Sequence, residues 1–148
     1  MRSLAARLAL LLVIAALAVV PVALASSPHY VNGPDVTVGT NSLTVSWKAA
    51  GLGNTTTSVD FALTGTVTTS SQCFTRSGNP VQGVPKSETI DVNVTGTFPV
   101  RNGQTTGSLT VSPLTTLTCT GSQRPRLLSV DFDLVLTGDA LPPFPIEG

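Results

Sequence analysis

The chain is poor in the side chains on which most chemistry depends. Among 148 residues there are one histidine and two cysteines, and only 11% of positions are charged, eight basic residues against eight acidic. Charge this sparse and scattered cannot follow a phosphate backbone or hold an anionic bilayer, both of which take clustered cations. Nucleic acid is not an expected partner, nor is a membrane once the chain is exported. One histidine and two cysteines also fall short of a four-ligand zinc site. The histidine, His29, follows Ser26-Ser27-Pro28 in a segment with nothing to orient it, so a Ser-His-Asp triad is not expected. Helical periodicity is missing beyond residue 25.

What is present begins with an export signal. Arg2 and Arg7 flank a short basic region, Leu8 to Val20 is an unbroken apolar run, and Ala23-Leu24-Ala25 supplies the small residues a signal peptidase reads before cutting at Ser26. The run stops at Pro21, well short of the roughly 20 residues that span a bilayer. No cysteine adjoins the cleavage site to be acylated, and Arg2 has no arginine neighbour, which points to release through the general secretory route. The expected organisation is a signal peptide over 1–25, a flexible arm over 26–35, one domain over 36–138 and a proline-rich tail over 139–148.

In an oxidising compartment Cys73 and Cys119 are read as one disulfide. Closing a loop of roughly 46 residues contributes about 4 kcal/mol in the chain-entropy treatment. A redox-active pair would need close C-x-x-C spacing or a neighbour that stabilises a thiolate, and neither is there.

Between the two ends the dominant pattern is period-two alternation in β-branched, threonine-rich segments closed by Gly, Pro, Asn or Ser. Leu43, Val45 and Trp47 alternate with Thr44, Ser46 and Lys48. Val59, Phe61, Leu63 and Val67 alternate with Asp60, Thr64, Thr66 and Thr68, and continued parity would place Cys73 on the apolar side. Ile90, Val92, Val94 and Phe98 form a third stripe. Asn102-Gly103 is a strong hairpin signal, because both residues tolerate positive φ, and it predicts that Leu109 and Val111 run back antiparallel. A weaker segment, Leu114 to Cys119, precedes the clearest stripe, Leu128, Val130, Phe132, Leu134 and Leu136. With Val36-Thr37-Val38 these make about seven strands, the density of an all-β, immunoglobulin-like antiparallel β-sandwich. A closed barrel has the same strand count and spacing. The tail, Leu141 to Pro145, is expected to lie extended or disordered outside any sheet.

Taken together, Gly51-Leu52-Gly53-Asn54, a threonine-rich strand, Cys73 followed by Gly78-Asn79-Pro80 and Gly83, Asn102-Gly103, Cys119 and the terminal Leu128-Ser129-Val130-Asp131-Phe132 resemble an uncharacterised family of small exported single-disulfide β-sandwich proteins of high-GC Gram-positive bacteria. Thr120 stands where that group carries proline. The resemblance implies a fold, a disulfide between Cys73 and Cys119 and an exported location; it implies no activity.

Candidate chemistry is sparse. Asp131 and Asp133 at i and i+2 share one strand face and would bind calcium only with the help of loop carbonyls, so a solvated face is the adopted reading. Carboxylates such as Asp60 and Asp91 keep a secreted hydrolase in view as a third possibility. Asn54-Thr55-Thr56 and Asn93-Val94-Thr95 satisfy the glycosylation sequon. Tyr30, Trp47 and Phe74 are the aromatics a sugar platform would use, with Trp47 assigned to the core and the other two to irregular segments. The expectation is a secreted, cofactor-free, non-catalytic binding or structural domain that touches an extracellular or cell-surface partner. The alternative is a small-ligand carrier of the chromophore-binding type.

Overall fold

Apolar side chains at every second position give an extended segment one face that avoids water and one that accepts it. In the computed structural model, which describes residues 27–148, two antiparallel sheets meet through their apolar faces. The expected signal segment, with Ala23, Ala25 and Ser26, lies outside the described residues. There are eight strands and no helix among the described residues: β1 (His29–Tyr30), β2 (Asp35–Val38), β3 (Leu43–Ala50), β4 (Ser58–Phe74), β5 (Lys86–Pro99), β6 (Thr105–Val111), β7 (Arg124–Gly138) and β8 (Phe144–Glu147).

In the short sheet, β3 pairs with β6 along one edge and with β1 and β2, placed end to end, along the other. The long sheet has the order β5-β4-β7-β8. Between them lie Leu43, Val45, Trp47 and Ala49 of β3, Val59, Phe61, Leu63 and Val67 of β4, Leu109 and Val111 of β6, and Leu134 and Leu136 of β7, all buried. Trp47 is 4% exposed and packs against Phe61 and Phe98, with ring centroids 4.6 and 5.1 Å away. This is the core role expected of it.

Several expectations are corrected. The arm over 26–35 is not free: it contains β1 and the first residue of β2, and the Val31 amide donates to the Lys48 carbonyl (2.7 Å). Nor is the tail over 139–148 outside the sheets. Phe144 and Ile146 of β8 face inward opposite Leu136 and Leu134, and Pro145 is tolerated because β8 is an edge strand whose outer side carries no ladder. The rings of Tyr30 and Phe144, 5.5 Å apart and edge-on, join the two ends across the sandwich.

Leu114 to Cys119 forms no strand. It belongs to a connection, residues 112–123, that crosses from β6 in the short sheet to β7 in the long one. The Asn102-Gly103 turn forms as read, with φ of 52° and 70° and reciprocal amide bonds between Arg101 and Gln104 (2.8 and 3.0 Å). The strands it joins then part: β5 pairs with β4 while β6 pairs with β3, so the turn is an arch between sheets. The last stripe is also displaced. A bulge opposite Ser70 and Ser71 pairs them with Ser129 and Leu127, which leaves Leu128 surplus and 49% exposed while Leu127 packs on the core.

Candidate functional site

Which residues can meet a partner follows from the pleat. On β4 the inward positions are Val59, Phe61, Leu63, Val67, Thr69 and Ser71, so the even-numbered residues Asp60, Ala62, Thr64, Thr66 and Thr68 line the outer face of the long sheet. Pairing then fixes the rows. Asp91 of β5 and Asp133 of β7 both stand opposite Thr66, and Glu147 of β8 stands opposite Asp133. One row across four strands therefore reads Asp91, Thr66, Asp133, Glu147, with neighbours about 4.8 Å apart. The next row places Thr89 and Asp131 beside Thr68.

Asp131 and Asp133 thus sit where expected, on an exposed strand face. Among the described residues no three His, Cys, Asp or Glu side chains come together as a metal-ligating group. The only ion pair among the described residues, Lys86 with Glu88 (3.0 Å), lies on the inward side of β5 and leaves the outer carboxylates without cationic partners. Among the described residues, cations on this face appear only at its disulfide end, where Arg124 and Arg126 stand opposite Phe74 and Gln72 and the Arg126 guanidinium lies 5.2 Å from the centre of the Phe74 ring. Phe74 is the last residue of β4, not part of an irregular segment.

At the other end of the face the sheet is hollow. Ala62 is the smallest outward side chain of β4, flanked by Thr95 and Thr137, and above it opens a cleft of about 450 Å³ rimmed by Asp60, Thr97 and Asp139. The Thr97 hydroxyl donates to Asp60 Oδ1 (2.5 Å), the Thr137 hydroxyl donates to the Ala62 carbonyl (3.3 Å), and the Asp139 amide donates to the Asp60 carbonyl (3.2 Å).

A second polar cluster lies under the crossing connection. Glu88 shares inward parity with Ile90 and Val92, yet it is a carboxylate. It accepts hydrogen bonds from the hydroxyls of Thr115 (2.7 Å) and Thr116 (2.5 Å) and from the Thr116 amide (3.1 Å). These hydroxyls, with Lys86, hold its pKa down from 4.5 to about 2. Ser71 meets the Thr115 hydroxyl (2.8 Å), Thr69 donates to the Leu114 carbonyl (2.9 Å), and Asn41 Oδ1 accepts the amides of Leu114 and Thr115 (both 2.9 Å). Cys73, inward on β4 as its parity requires, is bonded to Cys119 with Cα atoms 5.8 Å apart. The disulfide therefore fastens the connection to the long sheet. It does not join sheet to sheet.

Other candidates are dispersed. Asp91 stands opposite Thr66, six residues along β4 from Asp60, hence about 20 Å away at strand rise. Glycosidase carboxyls work at roughly 5–9.5 Å, so these two cannot flank one bond. His29 Nδ1 meets the Ser27 carbonyl (2.7 Å) on an exposed edge. Tyr30 is half-buried, its hydroxyl pKa raised by desolvation, and its ring meets Phe144 of β8 edge-on. The sequon residues Asn54 and Asn93 are both exposed. The parity of Glu88 was a signal available in the sequence. Nothing local marked Asp139, which reaches the cleft only because β7 pairs with β4.

In comparisons with known proteins, no family model, no curated protein and no solved structure matches this chain.

Proposed function

We propose that this is an exported, non-catalytic binding module, immunoglobulin-like in its layering, that meets an extracellular or cell-surface partner through the outer face of its long sheet. One observation carries the reading. That face holds Asp60, Asp91, Asp131, Asp133 and Glu147 among threonines, with no cation paired to any of them among the described residues. Asp133 and Glu147 stand directly opposite each other, and like charges in that position cost stability. A fold that keeps an unfavourable pair at its surface points to a use for it. The disulfide and the absence of a membrane-spanning helix among the described residues are compatible with life outside the cell.

The test is retention on envelopes of the producing cell. Protein recovered from medium is mixed with washed envelopes and sedimented beside an Asp91→Lys/Asp133→Lys variant, whose changes lie on exposed positions and spare the core. Wild-type protein should sediment and the variant should stay in solution. Equal sedimentation of the two would overturn the reading. So would a small-molecule mass that accompanies the native protein in mass spectrometry and is released on denaturation, the signature of a carrier.

A further inference from the structure

We infer that the cleft above Ala62 receives an arginine side chain of a protein partner. The inference rests on reading this face as the binding surface and names the chemistry that the face selects.

The lining is short of donors. The Thr97 hydroxyl donates its hydrogen bond to Asp60 and the Thr137 hydroxyl donates to the Ala62 carbonyl, so both oxygens have only lone pairs left to offer the cleft. Asp60 and Asp139 add two carboxylates, acceptors only when ionised. A ligand that satisfies such a site must bring several N–H groups and positive charge. Guanidinium brings five donors in a rigid planar fork, whereas ammonium brings three on a compact, strongly hydrated centre. The methyl of Ala62 and those of the flanking threonines give the aliphatic stem of arginine an apolar floor. At about 450 Å³ the cleft is more than large enough for one such side chain, and it opens onto the exposed face, along which a polypeptide can continue. Free arginine is disfavoured because its own carboxylate would be held against Asp60 and Asp139.

The experiment is a nitrogen-15 NMR titration with a blocked Gly-Arg-Gly peptide, the same peptide carrying citrulline, a neutral isostere, and free arginine. The arginine peptide should give saturable shifts at the amides of residues 60–62, 95–97 and 137–139, and the citrulline peptide should leave them in place. An Asp60→Asn/Asp139→Asn variant keeps an acceptor for Thr97 and should retain the wild-type spectrum elsewhere while weakening binding by about tenfold, with two exposed carboxylates lost. An Asp35→Asn variant, which removes an exposed carboxylate from the short sheet, should bind as the wild type does. Equal shifts with citrulline, equal affinity for free arginine, unchanged binding by the first variant, or equal weakening by both variants would each overturn the proposal. If envelope retention survives while the titration fails, the face stands and the arginine site falls.

Discussion

Thr116 is bound twice by Glu88, through its hydroxyl to one carboxylate oxygen and through its backbone amide to the other. Because these bonds are strongest with the carboxylate ionised and form only in the folded chain, they tie stability to pH. The folded value, about 2, lies below the ordinary 4.5, so the stabilisation is complete above pH 4.5 and is lost as pH falls toward 2. Urea midpoints of the wild type and of Glu88→Gln should differ at neutral pH and converge across that window. A constant difference down to pH 2 would show that the ionised form is not what matters.

The covalent counterpart of this contact is Cys73–Cys119, which closes a loop of 46 residues. A Cys73→Ser/Cys119→Ser variant should lose about 4 kcal/mol, near the value for that loop length. Because the bond fastens the crossing connection, hydrogen exchange in the variant should rise first over residues 112–123 and last in β3 and β4. Uniform loosening of both sheets would contradict the placement.

Gly65 sits mid-strand in β4 with φ of 134°, and a Cβ there would run into the backbone carbonyl of Asp133 on β7. Gly65→Ala should therefore cost of the order of 1–3 kcal/mol, against near neutrality for Thr66→Ala next door. Chemical denaturation of the two variants checks the contrast.

The indole N–H of Trp47 is buried without a hydrogen-bond partner. Trp47→Phe removes an orphaned donor while leaving a smaller ring between Phe61 and Phe98, so it should cost well under the roughly 3–5 kcal/mol of Trp47→Ala. Denaturation midpoints for both variants, followed by circular dichroism because the sole tryptophan is gone, decide it.

Where alternation was strict, sequence and structure agree. Leu43, Val45 and Trp47, and the run from Val59 to Val67, name both the strands and the faces they bury. Parity carried through Ser71 to Cys73 because the bulge falls on β7 and not on β4. What escaped notice depends on pairing that no local window contains. The two leucines at 127 and 128 look alike until Ser70 and Ser71 choose between them. Phe144 and Ile146 read as part of a proline-rich tail until an edge strand is there to receive them. The same holds for the cleft. Asp60 was visible as an outward position, but its meeting with Thr97 and with Asp139 follows from the β4–β5 and β4–β7 registers.

The surplus residue in β7 also makes the fold tolerant of a length change at one defined point. With Leu128 removed, Leu127 would precede Ser129 directly, one facing in and the other out, and the ladder with β4 would run without interruption. A single-residue deletion within a strand ordinarily inverts every side chain beyond it. At this position it would invert none, and it would withdraw one exposed leucine from the surface.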